Sequence, residues 1–192
     1  MFETLRQFDR ALLLKINSQQ SSLMDSVMWT LSQSWHTYLL VIVCGYLVFK
    51  KYSPKKAAEF ILGCALVVAC CDLSSNITTH SLKRYRPTHN TEIKNQIHTV
   101  NNHEGGKFGF FSAHAANTFG LATFIFLCVH WVNKRIRYLF FIYPALVSYS
   151  RMYLGVHYPS DIFAGMLVGC LFGYLIYLIV NTYFLKFNAK NV

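Results

Sequence analysis

The residues best suited to chemistry lie in one short segment near the C-terminal end, residues 150–161. This segment carries Arg151, His157 and Asp161, and the residues that follow it, 162–185, contain no Asp, Glu, Lys or Arg. Charged groups beside such an apolar stretch are energetically costly in a membrane, which indicates that they have a function. A histidine oriented by a carboxylate is an activated base or nucleophile. A structural His–Asp pair that caps a helix is the alternative interpretation.

The sequence around Asp161 predicts a helix that turns this carboxylate inwards. Pro159 suits the first turn of a helix, and a carboxylate two residues later complements the helix dipole. Three glycines then recur at intervals of four residues: Gly165, Gly169 and Gly173. A face of small residues favours close helix packing in a bilayer. We therefore expect Asp161 to point into a helix bundle, towards His157.

Two more polar clusters are expected at the same membrane face. Residues 83–87 supply Lys83, Arg84 and Arg86, and residues 111–114 supply Ser112 and His114. Arginines recognise phosphate through a planar fork of donors, and the start of a helix adds a hydroxyl and backbone N–H groups. One histidine can attack phosphorus while another protonates the leaving oxygen. This set is what metal-free phosphoryl transfer through a phosphohistidine would need.

Composition indicates an integral membrane protein. Hydrophobic residues make up 54% of the 192 residues and charged residues only 14%, with a net charge of +10. The charges lie between apolar runs and at their ends, which argues against a nucleic-acid partner and for the lipid bilayer. The six cysteines all lie within apolar segments and are expected to be small core residues.

The apolar pattern predicts a single all-α domain, residues 1–192, built as a membrane-embedded helical bundle. Residues 1–25 form an interfacial segment, with Phe2, Leu5, Phe8, Leu12 and Ile16 at helical spacing. About five transmembrane helices follow, at residues 26–49, 57–82, 111–132, 138–156 and 162–185. The first of these has a more polar lead-in, so we expect its core at residues 37–49.

The distribution of cations predicts the orientation in the membrane. With five spans, the 50–56 loop, the 133–137 turn and the tail containing Lys186 and Lys190 lie on one side, and all three are short and cationic. The positive-inside rule makes that side cytoplasmic. The 83–110 loop and the 151–161 segment lie on the other side, so the active site is expected at the outer, non-cytoplasmic face of the membrane.

Three of these segments resemble the motifs of a known family, the type 2 phosphatidic acid phosphatase and vanadium haloperoxidase superfamily. Its signature is K-x6-R-P, P-S-G-H and S-R-x5-H-x3-D. The third motif is matched in full by Ser150, Arg151, His157 and Asp161. The second is Phe-Ser-Ala-His at residues 111–114, without the proline and glycine. The first keeps Arg86 and the following proline but has Thr79 in place of the lysine.

The resemblance covers residues 79–165 and implies catalytic roles there. His157 is the implied nucleophile and Asp161 its orienting partner. His114 is the implied general acid, and then the base that activates water. No cofactor and no metal are expected. The apolar surroundings are similar to those of the bacterial membrane-bound lipid phosphatases.

The same resemblance implies that the substrate phosphate is held by Arg86, Arg151, Ser112 and the Ala113 position beside it. Because Thr79 cannot supply the missing cation, we hypothesise that Lys83 does so. If the chain is helical there, Lys83 lies one turn beyond Thr79 on the same face, whereas Arg84 points about 100° further round.

The expected substrate is a phosphorylated membrane lipid of the undecaprenyl pyrophosphate, lipid A or phosphatidylglycerophosphate type. A lipid phosphotransferase of the same family and a non-catalytic protein that binds anionic lipids are the alternatives. An intact His157–Asp161 pair argues against the second alternative, because binding alone needs only cations.

Two further features have weaker signals. His89, His98 and His103 share one loop, but their spacing does not suit one helical face, which argues against a metal site. Asp72 lies in the middle of an apolar span, so it either has a function or pairs with a polar partner inside the bundle.

Overall fold

The structure is a computed structural model that describes residues 2–182, and within that range the chain forms eight α-helices without a β-strand. They are α1 (Phe2–Asn17), α2 (Ser22–Leu31), α3 (Trp35–Lys51), α4 (Pro54–Leu82), α5 (Ala113–Cys128), α6 (Lys134–Tyr138), α7 (Ile142–Tyr153) and α8 (Pro159–Val180). The long α4–α5 connection contains three short 3₁₀ turns. The all-α prediction is confirmed.

The helices begin where the sequence supplies capping groups. The Ser21 and Ser53 hydroxyls accept hydrogen bonds from backbone N–H groups in the first turns of α2 and α4. Pro54 and Pro159 occupy the first position of α4 and α8, where a missing N–H costs nothing. These local signals explain why the boundaries of α4 and α8 lie close to the predicted ones.

The helices α4 and α8 are long and apolar enough to cross a membrane, and α2 with α3 qualifies if the pair forms one span bent by 50°. The predicted first span, residues 26–49, is therefore interrupted. At the bend the Ser32 hydroxyl donates to the Trp29 carbonyl, a local bond that competes with helix continuation. The expected apolar core at 37–49 lies within α3.

The predicted fourth span, residues 138–156, is not one helix. The short helix α6 is followed by a 3₁₀ turn at Leu139–Phe141, and α7 begins only at Ile142. Pro144 lies in the first turn of α7, and its missing N–H prevents a continuous helix through this point. The helix α5 is apolar but has only 16 residues, about 24 Å of length. Residues 183–185 of the predicted fifth span, and the tail with Lys186 and Lys190, lie outside the described residues.

The central packing contact joins α5 and α8 through glycines. A Cβ atom at Gly169 would lie 2.2 Å from the Ala116 carbonyl oxygen, and one at Gly173 would lie 2.3 Å from the Gly120 carbonyl oxygen. Only glycine allows the two backbones to approach this closely. The predicted small-residue face therefore packs against α5, and Asp161 at the start of α8 is buried, as expected.

The N-terminal helix α1 packs against the rest of the protein through a face that includes Ile16 of the predicted apolar stripe but only part of that stripe. Leu5 and Phe8 of the apolar stripe are exposed, whereas Asp9, Leu13 and Asn17 are almost completely buried. These three residues lie four apart, so they form a single face that packs against the rest of the protein. Polar contacts of Asp9 and Asn17 therefore attach the predicted interfacial helix to the bundle.

Candidate active site

The turn between α7 and α8 brings Arg151 and His157 into the protein interior. Arg151 lies in the last turn of α7 and is 5% exposed, and His157 is 2% exposed. Gly155 makes the turn possible, because its φ of 70° is left-handed and a Cβ atom there would lie 2.4 Å from Ile97 Cγ2. The backbone then enters α8 at Pro159.

Asp161 lies next to His157 and accepts hydrogen bonds from two other residues. Its Oδ2 atom is 3.6 Å from His157 Nδ1 and accepts a hydrogen bond of 2.9 Å from the Tyr158 backbone N–H. Its Oδ1 atom accepts from Arg84 Nη1 at 2.5 Å. The structure therefore brings the predicted pair together, but 3.6 Å is longer than a hydrogen bond. Among the described residues His157 Nδ1 has no hydrogen-bond partner.

Arg86 is held beside His157 by the end of the α4–α5 connection. Its backbone N–H donates to the Lys107 carbonyl at 3.1 Å, and its Nε donates to the Phe108 carbonyl at 3.0 Å. A Cβ atom on Gly109 would lie 2.7 Å from Arg86 Cγ and 3.3 Å from His157 Nδ1. The backbone of Gly109 thus lies against the side chains of both Arg86 and His157.

The two arginines of the site form no ion pair with a carboxylate in the described part of the chain. Within residues 2–182 no ion pair involves Arg86 or Arg151, and Arg151 Nε lacks a hydrogen-bond partner. Burial lowers the pKa of Arg86, and Asp161 only partly opposes this effect. Burial, then Arg86 and Arg151, hold the pKa of His157 well below its usual range. The centre is therefore a buried and a half-buried cation, Arg151 and Arg86, around a neutral imidazole, an environment that favours an anion.

Ser112 and His114 reach the same centre from the start of α5. Ser112 is fully buried; its hydroxyl caps α5 by accepting from the Ala115 N–H, and its own N–H donates to the Asp161 carbonyl at 3.1 Å. Ala113 is the first residue of the helix. The positive charges of Arg86 and Arg151 act on the His114 imidazole. The predicted members of the second motif thus meet those of the third.

His114 also borders a cavity of about 250 Å³ between α3, α4 and α5. Asp72 and Asn117 line the same cavity, and the Asn117 amide donates to Asp72 at 2.8 Å. Asp72 therefore has the polar partner that was one of its two expected explanations.

The three histidines of the loop do not form a metal site. His98 pairs with Asp25 at 3.0 Å, His89 lies 3.9 Å from Glu104, and His103 packs edge-on against the Trp29 ring at 5.3 Å. Across the described residues no group of three His, Cys, Asp or Glu side chains could hold a metal ion.

His103 lies near the arginines of the candidate site, which its sequence position did not reveal. Its pKa is lowered by burial and by the charges of Arg151 and Arg86. The neighbouring Gly105 lies directly against Arg86, since a Cβ atom there would lie 2.9 Å from Nη1. The loop therefore folds back over the arginine.

The helical position assumed for Lys83 is wrong. The helix α4 ends at Leu82, and Lys83 follows in the left-handed conformation with φ 48°, exposed to solvent. The Lys83 backbone N–H donates to the Thr79 carbonyl at 3.1 Å, while the Thr79 hydroxyl donates to the Phe110 carbonyl at 3.0 Å. Arg84, which the sequence argument turned away from the site, is the residue that reaches Asp161. Its neighbours Asp9 and Ser160 were also missed.

The chain is similar to known proteins over most of its length. Residues 56–185 match the PAP2 superfamily. The lipid A 4'-phosphatase of Porphyromonas gingivalis is 34% identical over 177 residues, 91% of this chain and 74% of that protein. The lipid A 4'-phosphatase of Bacteroides thetaiotaomicron is 36% identical over 186 residues, 94% and 80% of the two chains.

A solved structure shares the fold. It is the crystal structure of a transmembrane PAP2-type phosphatidylglycerolphosphate phosphatase from Bacillus subtilis, with a TM-score of 0.74 and 22% identity. The likeness covers 94% of this chain and 88% of that one. At this level of identity it supports the arrangement of the helices and not the substrate.

Proposed function

Because the chain belongs to the PAP2 superfamily, we propose that it is a metal-independent phosphatase that removes phosphate from a membrane lipid through a phosphohistidine. The observation that carries the proposal is the pair of guanidinium groups beside His157, the buried Arg151 and the half-buried Arg86, neither of which has an ion-pair partner among residues 2–182. Buried charges are normally paired, so an anion is the natural partner of this site.

The chemistry assigns each side chain a step. With its proton on Nδ1, next to Asp161, His157 attacks phosphorus through Nε2, and the bond from phosphorus to the lipid oxygen breaks. His114 gives its proton to that oxygen. His114 then accepts a proton from water as the water oxygen attacks phosphorus, which breaks the P–N bond and releases inorganic phosphate.

The phosphate is held in both steps by the same donors. Arg86 and Arg151 provide charge-assisted hydrogen bonds to its oxygens. The Ser112 hydroxyl and the N–H of Ala113, at the start of α5, add neutral donors. Lys83, at the exposed end of α4, can contribute only from the rim.

The substrate class that we favour is a phosphorylated lipid of the lipid A type. The support is the identity of 34% and 36% with the two lipid A 4'-phosphatases, over more than nine-tenths of this chain. Phosphate release from purified lipid A, undecaprenyl diphosphate and phosphatidylglycerophosphate in detergent, with and without chelator, ranks the candidates.

Trapping of the intermediate tests the mechanism. Rapid acid-free quenching of wild type with ³²P-labelled substrate should give an acid-labile phosphoenzyme, and His157→Ala should form none while it still binds lipid. Transfer of label to a lipid acceptor instead of water would identify a phosphotransferase. A His157→Ala variant with a normal rate would exclude the phosphohistidine.

We also propose five membrane passages, with α2–α3, α4, α5, α6–α7 and α8 as the crossing segments. The ends of α3 and α5 lie together, since Tyr52 and Trp131 stack edge-on at 5.1 Å. This places the cationic 50–56 and 133–137 segments at the end of the bundle opposite to the catalytic residues, and the positive-inside rule makes that end cytoplasmic.

The expected location is therefore the bacterial inner membrane, with the active site at the periplasmic face. In a variant without the native cysteines, a cysteine at the exposed position Asn95 should react with an impermeant thiol reagent in spheroplasts. A cysteine at the exposed position Asn133 should react only after lysis. The opposite pattern would invert the topology.

A further inference from the structure

The helix α1 carries an acidic side chain into the neighbourhood of the catalytic pair. Asp9 is 2% exposed. Its Oδ1 atom accepts from the Ser160 backbone N–H at 2.9 Å, and its Oδ2 atom accepts from the Ser160 hydroxyl at 2.5 Å and from Arg84 Nη2 at 2.7 Å. A buried carboxylate with this many donors is fixed in one orientation.

Arg84 joins this carboxylate to the catalytic one. Its Nη2 atom is 2.7 Å from Asp9, while its Nη1 atom is 2.5 Å from Asp161 Oδ1 and 2.7 Å from the Ser160 hydroxyl. The guanidinium also lies over the Tyr158 ring, 4.5 Å from its centroid. Arg84 is thereby divided between two carboxylates on different helices.

This division matters because a guanidinium pairs best with a single carboxylate through two parallel hydrogen bonds. If Arg84 took both oxygens of Asp161, Oδ2 would turn away from His157. Asp9 holds the second nitrogen of Arg84, so that Arg84 takes only Oδ1. Oδ2 remains directed at the Tyr158 N–H and His157 Nδ1.

The charges support the same arrangement. One guanidinium faces two carboxylates, Asp9 and Asp161, so the group keeps a surplus negative charge when both are ionised. As His157 Nε2 bonds to phosphorus, positive charge develops on the imidazole. A surplus anion at its Nδ1 edge stabilises that charge in the transition state more than in the ground state.

We propose that Asp9 and Arg84 are positioning residues for Asp161, and that α1 is therefore a component of the catalytic unit. Asp9 keeps Arg84 from sequestering the carboxylate that orients His157. The role concerns the attack on phosphorus and rests on the proposed function for its kinetic readout.

Asp9→Asn tests the proposal, with Glu92→Gln as the matched control. Arg10 and Glu92 form an ion pair that also joins α1 to the α4–α5 connection, but within the described residues Glu92 is exposed and forms no ion pair with Arg84. Asp9→Asn should lower kcat about 10- to 100-fold, as expected for one charge-assisted hydrogen bond. KM and inhibition by inorganic phosphate should stay unchanged, because Arg86 and Arg151 are untouched. Glu92→Gln should retain full kcat.

A second substitution separates positioning from simple attachment of α1. Arg84→Gln alone leaves two buried carboxylates without their cation and should also lower kcat. In the Asp9→Asn background it removes the competitor for Asp161, so the double variant should turn over faster than either single variant. A purely structural Asp9–Arg84 contact would already be lost in either single variant, so the double variant would then be no faster than the single variants. That result, or Asp9→Asn with the kcat of Glu92→Gln, would overturn the proposal.

Two controls keep the result distinct from other failures. Activity of the wild-type protein establishes the proposed function separately, so a fully active Asp9→Asn variant would reject the positioning role alone. A crystal structure of Asp9→Asn should show Arg84 paired with both oxygens of Asp161, and an unchanged Arg84 would also reject it. If Asp9→Asn does not fold, the kcat of the double variant, in which one negative and one positive charge are removed together, can still be compared with the kcat of Arg84→Gln.

Discussion

Arg151→Met should make the protein more stable and nearly inactive. Arg151 is 5% exposed and lacks a carboxylate partner within the described residues, and the charge of Arg86 acts on it. Methionine has a similar length and no charge, so it removes a buried cation without leaving a large cavity. The folded protein without substrate should therefore resist heating better than wild type.

The magnitude of the activity loss follows from the guanidinium fork. Two charge-assisted hydrogen bonds to phosphate are worth about 1.5–3 kcal/mol each, and each 1.36 kcal/mol is tenfold in rate, so kcat/KM should fall roughly 10²- to 10⁴-fold. The kcat/KM of Arg151→Lys should lie between that of wild type and that of Arg151→Met, because a lysine supplies the charge without the planar fork.

The assay combines turnover with thermal unfolding in detergent. Inorganic phosphate should raise the melting temperature of wild type, since it binds only the folded protein, and it should have little effect on Arg151→Met. An Arg151→Met variant with nearly normal kcat/KM would refute the phosphate-binding role. One that melts below wild type would refute the argument about the unpaired buried charge.

Three other outcomes are expected. Arg84→Ala should cost far more kcat/KM than Lys83→Ala, because Arg84 binds Asp161 whereas Lys83 is exposed; equal losses in a phosphate-release assay would contradict this. The pKa of His157 is lowered in the folded protein, so the unfolded chain binds the extra proton; the contribution to stability is therefore full above about pH 6.5 and is lost as the pH falls. In His157→Gln the melting temperature should decline less between about pH 7 and pH 5 than in wild type. A decline equal to that of wild type would contradict this expectation. Gly169→Ala should lower the free energy of unfolding by about 1–3 kcal/mol, because the new methyl group clashes at the α5–α8 contact. Gly106→Ala should leave it unchanged, because a Cβ atom there has nothing within 4 Å. Equal free energies of unfolding for the two variants in chemical denaturation would disprove the packing argument.

The sequence by itself was sufficient for the helical class, the long helices α4 and α8, and the family. Their signals are local: apolar runs, caps, prolines and a motif whose spacing is maintained within one turn. The burial of Asp161 and the contact of its glycine face with a neighbouring helix were also readable, because every fourth residue of a helix lies on one side. The count of five spans was less secure, because a 50° bend and a 3₁₀ turn interrupt apolar stretches without changing their composition.

The tertiary structure alone decided which charges meet. Asp9 and Asp161 are far apart in the chain, and nothing in the helical pattern of α1 indicates that its buried face contains a carboxylate. Lys83 is exposed and Arg84 reaches Asp161, against the expectation, because the left-handed Lys83 ends α4 and changes the direction of the side chains that follow it. Local periodicity predicts a side chain's direction only while the helix continues. Beyond its end, the partner of a charge is determined by where a distant helix packs, and here α1 packs so that Asp9 reaches Arg84.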